Sequence, residues 1–139
     1  MVDCVFCKIG QKETDAATVY ENDQTIALLD TNPIAEGHTL VVPKKHYSDI
    51  FNVDPSVLQH SAILAKKIAG QLRNRLGAEG VNVVNASGQA AEQSVMHFHI
   101  HIIPRRHGDR LDFNTLWFPK VRAASGAELQ SLAGRLRLD

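Results

Sequence analysis

MHFHIHIIPR, residues 96–105, is the stretch of sequence that decides the fold. Its three histidines, His97, His99 and His101, alternate with apolar residues, and a period of two over this length predicts a β-strand. Successive side chains of a strand point to opposite faces, so the three imidazoles share one face, roughly 6.6 Å from neighbour to neighbour. Such a face suits phosphate chemistry or a metal ion, and the spacing leaves both open.

The size and charge of the chain limit its class. Its 139 residues, 44% of them apolar, are enough for one domain with a single core. The 15 basic residues balance the 15 acidic ones, which gives no general reason to expect a nucleic acid or a membrane as partner. The N-terminal residues lack the charged and apolar regions of a secretory leader, and no long apolar run occurs, so we predict a cytoplasmic protein.

Further strands and two helices are predicted on either side of the histidine stretch. Asp54 and Pro55 mark the start of a long amphipathic helix, and Gly77 marks its end. Ser125 and Glu128 form a capping box for a C-terminal helix. The long helix is expected to cover the apolar face of a sheet, which is typical of an α+β domain. The further strands are expected at residues 18–21, 25–30, 38–43 and 81–84.

The motif HFHIHII resembles the histidine triad, His-φ-His-φ-His-φ-φ with φ apolar, of the HIT family of nucleotide hydrolases and transferases. The resemblance covers residues 3–105 and continues in order through DCVFCKI, LLDTNP, GHTLVVPKKH, VNVVN and QSVMHFHIHIIPR. It implies a HIT-like α+β fold, an antiparallel sheet of about five strands with a long covering helix and a C-terminal helix. It also implies a single HIT domain over residues 1–139, in which the tail 106–139 is less firmly matched, and a homodimer in which strands of two subunits continue one sheet.

Cys4 and Cys7 form a CxxC unit, which by itself fits a redox pair, half of a zinc site or two small buried residues. In a cytoplasmic protein, two such cysteines are more often thiols or metal ligands than a structural disulfide. Resemblance to the zinc-binding, bacterial-type branch of the family implies a Zn²⁺ ion held by Cys4, Cys7, His46 and His97. Such an ion would be structural, since it would fix the N-terminal segment to the histidine strand, and the chemistry itself would need no metal.

The resemblance also implies hydrolysis at the α-phosphorus of adenosine 5′-monophosphate derivatives, such as phosphoramidates and AMP esters. His99, the middle histidine, would attack phosphorus and form a covalent nucleotidyl-histidine, since a neutral imidazole is nucleophilic near neutral pH. Ser94 and His101 would hold phosphate oxygens and deliver a proton to the leaving group. His38 would support the position of the nucleophile; without the resemblance it is an ordinary histidine at the start of a strand.

The binding residues have alternative interpretations. Just before Asn32 and Pro33, Asp30 has the position of a residue that turns the chain, whereas the resemblance implies that it accepts hydrogen bonds from both ribose hydroxyls. Asn85 and Gln93 are candidates for the phosphate shell, although a generic polar loop has the same composition. The resemblance implies a mainly apolar slot for the base, formed by Val5, Phe6, Ile9 and Leu28 with Thr31 at its edge.

Glu92 stands where the family usually has a glycine before the glutamine. A bulkier, negatively charged residue there could repel an anionic substrate or change how closely the backbone approaches phosphate. After Pro104, the basic residues Arg105, Arg106 and Arg110 fit either a solvated loop or a region that attracts polyphosphate. The apolar cluster at residues 116–118 could wall the leaving-group side of the site or dock the tail.

Three functions therefore stay open. The leading one is a nucleotide hydrolase of the purine nucleoside phosphoramidase kind. A dinucleoside polyphosphate hydrolase is the second, and the basic residues after Pro104 would matter more for it. The third is a nucleotide-binding or scaffold protein with weak turnover, which Glu92 makes conceivable.

Overall fold

Five strands and three α-helices form the regular structure of the described residues. The computed structural model describes residues 3–113 and 123–138. The chain falls into two compact units, Met1–Asp109 and Arg110–Asp139. The helices are α1 (Val5–Gly10), α2 (Pro55–Leu76) and α3 (Gly126–Leu136), and the strands are β1 (Thr18–Glu21), β2 (Thr25–Leu29), β3 (Thr39–Pro43), β4 (Gly80–Val84) and β5 (Ile100–Arg105).

The strands form one sheet in the order β1-β2-β3-β5-β4, and every neighbouring pair is antiparallel. β5 lies between β3 and β4, because His101 pairs with Leu40 on one side and with Val84 on the other. The α+β class, the antiparallel sheet, the long helix and the C-terminal helix expected from the sequence are confirmed. The histidine segment is therefore inside the sheet, whereas β1 and β4 are its edges.

The histidine strand is shorter than the sequence predicts. β5 begins at Ile100, so His101 lies within it, whereas His97 and His99 lie in the segment that leads into it. The alternation of faces is nevertheless kept. The rings of His97 and His99 contact Phe6 of α1, and the ring of His101 lies 4.8 Å from that of His99. The apolar residues between the histidines belong to the core on the opposite side, against α2.

Pro43 explains why the ladder stops early. Val41 pairs with Ile100, and two residues further along β3 stands Pro43, which has no N–H to donate to a neighbouring strand. Beyond this point another partner holds the main chain, since the N–H of Phe98 donates to the oxygen of Tyr47 at 2.6 Å. The period of two correctly predicted the shared face, but the end of the ladder depends on the neighbouring strand.

Helix α2 has the ends that the sequence predicts. It begins at Pro55, where the missing N–H of a proline costs nothing, and it is followed by Gly77 with a left-handed φ of +66°. Its buried side chains, which include Leu64 and Ile68, pack against the apolar face of the sheet. The shorter α1 packs on the histidine face, in a second core cluster. The two faces of the sheet are thus covered by different helices, and the short one lies beside the histidines.

The second unit contains α3, and its start matches the predicted capping box. The side-chain oxygen of Ser125 accepts a hydrogen bond from the N–H of Glu128 at 3.2 Å. The predicted apolar cluster of Leu116, Trp117 and Phe118 lies outside the described residues. The single domain over residues 1–139 stays a prediction. Within residues 3–113 and 123–138, no helix has the length and apolar character needed to cross a membrane.

Candidate active site and metal centre

A cavity of about 380 Å³ lies on the histidine face of the sheet. Its walls come from α1, from the segment between α1 and β1, from the end of β2 and from the residues around the histidines. This volume is within the usual range of small-molecule sites. The sequence-predicted residues that line it are Val5, Phe6, Ile9, Leu28, Asp30, Thr31, Ser94, His99 and His101.

His99 is fixed in one tautomer. Its ring is only 3% exposed, and its Nδ1–H donates to the main-chain oxygen of His97 at 2.7 Å. A neutral imidazole carries one ring proton, so this bond leaves a lone pair on Nε2. Burial lowers the pKa of His99 below its usual value, which keeps the ring neutral near pH 7. Phe6 packs edge-on against the ring, with centroids 5.2 Å apart. His99 therefore has the form of a nucleophile whose reactive atom is Nε2.

A short chain of hydrogen bonds fixes the proton of His101. The N–H of Ile34 donates to Nδ1 of His38 at 3.1 Å, so the proton of a neutral His38 is on Nε2. This Nε2–H donates to Nδ1 of His101 at 2.9 Å, so the proton of His101 is on its own Nε2. Burial lowers the pKa of His38, and it lowers the pKa of His101 to about 4, so both rings are neutral near pH 7. The sequence interpretation had His38 support the nucleophile, whereas its ring bonds His101.

Asp30 holds a turn of the chain and also lines the cavity. Its Oδ1 accepts the N–H of Asn32 at 2.8 Å, which is the turn interaction typical of aspartate. Its Oδ2 lies 3.6 Å from Nε2 of His38, too far for a hydrogen bond, and the residue lines the cavity. Because a carboxylate has several lone-pair sites, Asp30 can hold the turn and still accept hydrogen bonds from a ligand.

The three predicted phosphate-shell residues are placed differently. Ser94 is exposed and lines the cavity. The amide of Asn85 donates to the main-chain oxygen of His99 at 2.8 Å, so Asn85 holds the backbone of the expected nucleophile. The amide of Gln93 donates both of its protons to main-chain oxygens, at 2.7 and 2.9 Å, which leaves it no N–H for a phosphate. Of the three, Ser94 alone is brought to the cavity wall, and the other two position the surrounding loop.

Glu92 has a left-handed backbone conformation, with φ of +60°. It follows the short 3₁₀ turn Gln89–Ala91, and its N–H donates to the oxygen of Gln89 at 3.0 Å. This conformation costs an ordinary residue roughly 1–2 kcal/mol, and glycine adopts it freely. The backbone therefore explains why a glycine suits this position. The side chain is exposed and does not line the cavity.

Cys4, Cys7, His46 and His97 come together as the sequence predicts, with ligand atoms all within 4.8 Å of one another. The distances from sulfur to Nδ1 are 3.4 Å for Cys4–His97, 3.4 Å for Cys7–His46 and 3.6 Å for Cys7–His97. The two Nδ1 atoms are 3.2 Å apart. Zinc bonds of about 2.3 Å to sulfur and about 2.0 Å to nitrogen give tetrahedral edges of about 3.5 Å and about 3.3 Å, respectively. The four donors therefore fit Zn²⁺.

His97 is oriented to bind a metal through Nδ1. Its Nε2–H donates to the main-chain oxygen of Pro43 at 2.8 Å, an outer contact typical of metal-binding histidines. Burial lowers the pKa of His97 to about 4, so the ring is neutral. Burial and the neighbouring Cys4 raise the pKa of Cys7 to about 11, and a bound cation would oppose this by favouring the thiolate. Phe6, between the cysteines in sequence, contacts the His97 ring at 5.6 Å, so α1 connects this centre to the cavity.

Sequence reasoning missed several cavity residues. Leu40 could have been found, because it shares a face of β3 with His38 by alternation. Thr14 and Asp15 belong to the segment between α1 and β1, where no motif marks them. The other residues missed are Ala16, Ala17, Leu29, Asn32 and Val95.

An antiparallel sheet with three alternating histidines in and just before its central strand β5, beside a four-donor Cys/His centre, defines a histidine-triad domain. The model of the HIT domain family matches residues 11–108. The chain belongs to the HIT family, as the motif HFHIHII predicts.

Comparisons with solved structures and curated proteins agree with this family. A zinc-bound histidine triad family protein from Mycobacterium smegmatis is 39% identical, with a TM-score of 0.77 over 80% of this chain and 81% of that one. A HIT family member from Bacillus subtilis is 35% identical, with a TM-score of 0.86 over 99% of this chain and 100% of that one. Adenylylsulfatase HINT3 of Arabidopsis thaliana is 39% identical over 109 residues, which are 78% of this chain and 55% of that protein.

Proposed function

We propose that this protein hydrolyses nucleoside 5′-monophosphate derivatives at the α-phosphorus, with AMP phosphoramidates and AMP esters among its substrates. The observation that carries the proposal is the state of His99. One ring nitrogen is bonded to the main chain, the pKa is lowered, and the ring lines a cavity large enough for a small ligand. A buried neutral imidazole with a free Nε2 lone pair is a nucleophile that needs no further activation.

In the first step, Nε2 of His99 forms a bond to the α-phosphorus while the bond from phosphorus to the leaving group breaks. The electron pair of the broken bond goes to the leaving nitrogen or oxygen, which takes a proton. An anionic phosphate beside the His38–His101 pair raises the pKa of the pair, so the two rings together can gain a proton as substrate binds. The proton of His38 then moves to its Nδ1, Nδ1–H of His101 donates to Nε2 of His38, and His101 passes its Nε2 proton to the leaving group. The hydroxyl of Ser94, a residue of the cavity wall, would hold a phosphate oxygen. The result is a nucleotidyl-histidine.

In the second step, water attacks phosphorus and the phosphorus–nitrogen bond breaks. The electron pair returns to Nε2 of His99, and His101, now neutral, accepts a proton of the attacking water. His38 acts through His101, since its Nε2–H fixes the nitrogen that is free to exchange protons with the reactants. The nucleoside monophosphate then leaves and His101 releases its extra proton to solvent, so that both rings return to their starting forms.

We propose that Zn²⁺ bound by Cys4, Cys7, His46 and His97 is structural. Its contribution would be to bind α1 to the histidine segment, since metal binding of this kind is coupled to folding. The zinc-bound relative from Mycobacterium smegmatis supports this assignment. The relative named as an adenylylsulfatase supports hydrolysis as the type of reaction.

The alternative functions have weaker support. A dinucleoside polyphosphate hydrolase would benefit from free cations after Pro104, but Arg105 bonds Asp109 through two nitrogens and also bonds Asn82. The guanidinium of the next residue, Arg106, donates to the main-chain oxygen of Leu76. A scaffold with weak turnover was suggested by Glu92, whose exposed side chain lies away from the cavity lining. Hydrolysis of a nucleotide derivative remains the function that the residues around His99 support best.

We also propose a homodimer in which the β4 strands of two chains pair. β4 is an edge of the sheet, and Val83 on it is 58% exposed. An unpaired edge strand is a ready template for another strand. Size-exclusion chromatography with light scattering tests this: a monomeric mass at micromolar concentration would contradict it.

The proposed function is tested with adenosine phosphoramidate and a diadenosine polyphosphate as substrates. We expect turnover of the phosphoramidate, and we expect His99→Ala to abolish it while AMP affinity stays within about tenfold. His60→Ala is the matched control, because His60 is an exposed histidine on α2. Unchanged turnover in His99→Ala would refute the mechanism. AMP binding without turnover of either substrate would instead support the binding or scaffold function.

A further inference from the structure

The cavity wall includes polar residues that the proposed reaction does not use, namely Asn32 and the adjacent pair Thr14 and Asp15. Within residues 3–113 and 123–138, neither side chain of this pair takes part in a hydrogen bond or an ion pair. The other polar side chains with assigned roles serve the phosphate or the ribose, and they are Asp30, Ser94, His99 and His101. A hydroxyl and a carboxylate without partners are thus available to a ligand in the same cavity.

The segment that carries this pair leads into β1, which the order of strands places away from β5 and His101. β1 is separated from β5 by β2 and β3, so at about 4.8 Å per strand the two are about 14 Å apart. The segment before β1 is fixed beside the end of β2, because the N–H of Leu29 donates to the oxygen of Ala17 at 2.9 Å. Asp30 follows directly on β2, next to this bond, and lines the same cavity. A nucleotide with its phosphate at His99 and its ribose at Asp30 would therefore extend its base towards residues 14–17.

The surroundings of the pair also suit a base. Ile9 of α1 and Leu28 of β2 line the cavity with apolar surface in the cluster against which Ala16 packs, and this surface can cover the flat faces of a purine. Apolar walls do not distinguish one purine from another, because they contact the faces of the ring and not its polar edge. Polar side chains in the same slot are the groups that can read this edge.

We propose that Thr14 and Asp15 read the edge of the base and favour guanine over adenine, an inference that rests on the proposed nucleotide site. The Watson–Crick edge of guanine presents the acceptor O6 beside the donors N1–H and N2–H. A carboxylate only accepts, so Asp15 pairs with the two donors, and the hydroxyl of Thr14 donates to O6. Adenine instead presents one donor group, N6–H, and a lone pair on N1 that a carboxylate repels.

Inosine monophosphate separates the two contacts. It has O6 and N1–H but lacks the N2 amino group, so it keeps one of the two bonds to Asp15. Because Asp15 is exposed to water in the free protein, we expect the lower end of the usual discrimination, a Kd about tenfold lower for GMP than for AMP. The Kd for IMP should lie between the two.

The test is isothermal titration of the full chain with GMP, IMP and AMP, none of which is consumed. Asp15→Asn should abolish the preference for GMP, and Thr14→Val should reduce it. Glu13→Gln is the matched control, since it removes the same charge two positions from Asp15, from a residue that does not line the cavity. It should keep the preference, which separates a direct contact from the general effect of charge.

The possible failures can be told apart. Equal affinity for GMP and AMP, a preference for AMP, or a GMP preference that persists in Asp15→Asn would overturn the base assignment and leave the proposed function standing. No measurable binding of any of the three nucleotides would overturn the nucleotide site itself. A circular dichroism spectrum matching that of the unmodified chain shows that each variant is folded.

Discussion

Removal of the His38 side chain tests the hydrogen-bond chain on which the proton of His101 depends. His38 is only 2% exposed and bonds on both sides, to the N–H of Ile34 and to Nδ1 of His101. In His38→Ala both partners lose their bond. A buried polar group without a partner costs about 1–3 kcal/mol, and water entering the space would recover part of this. We therefore expect the free energy of unfolding to fall by about 2–4 kcal/mol.

Glutamine at position 38 should restore much of this loss. Its amide oxygen can accept from the N–H of Ile34, and its amide nitrogen can donate to His101, so His38→Gln keeps one acceptor and one donor. Urea denaturation of the unmodified chain and of both variants measures the stability. His60→Ala, a change at an exposed histidine, should stay within about 0.5 kcal/mol and serves as the control.

The tautomer of His101 gives a second measurement that simple loss of packing would not move. Nitrogen NMR of the ring should show the proton on Nε2 in the unmodified chain and in His38→Gln, and a mixture of tautomers in His38→Ala. Phosphoramidate turnover should decline in the same order. The reasoning is refuted if His38→Ala is as stable as the unmodified chain and its His101 keeps the proton on Nε2.

Three further predictions concern pH, metal and backbone. The free energy of unfolding should fall as the pH decreases from about 6.5 towards about 4. Burial lowers the pKa values of His38 and His101 in the folded state, so the unfolded chain gains protons first. Urea midpoints that do not change with pH across this window would contradict this. Chelation of the metal, or Cys7→Ser, should lower both the melting temperature and the affinity for AMP, because the metal holds α1 and α1 carries cavity residues. Elemental analysis measures the metal content. Loss of the metal with both properties unchanged would show that the metal does not support the cavity. Glu92→Gly should stabilise the fold by about 0.5–1 kcal/mol in urea denaturation, because glycine adopts a left-handed φ without strain. Glu92→Gln, the control, should not change the stability. A glycine variant less stable than the unmodified chain would show that the strain is absent.

Much of the fold follows from local patterns in the sequence. Alternation at residues 97–102 predicts the two faces of β5, and the pair Pro55 and Gly77 predicts both ends of α2. These features depend on the residues themselves and their nearest neighbours. The beginning of β5 at Ile100 could not be predicted in the same way, since it depends on Pro43 of the neighbouring strand.

The candidate site was predictable to a different degree. The four metal donors and most cavity residues come together as the motif implies. The bonds of Gln93 and the contact of His38 with His101 depend on distances between segments far apart in sequence, which no spacing encodes. Thr14 and Asp15 lie in a loop, where position is set by tertiary contacts and not by periodicity.

The covalent bond between His99 and phosphorus is the central claim, and trapping it is the most direct test. The protein is mixed rapidly with adenosine phosphoramidate, quenched in base to preserve phosphorus–nitrogen bonds, digested and analysed by tandem mass spectrometry. We predict an adenylyl group on Nε2 of His99, absent from the His99→Ala variant. Phosphoramidate turnover with no adenylated histidine at any quench time, or with the group on another residue, would contradict the mechanism.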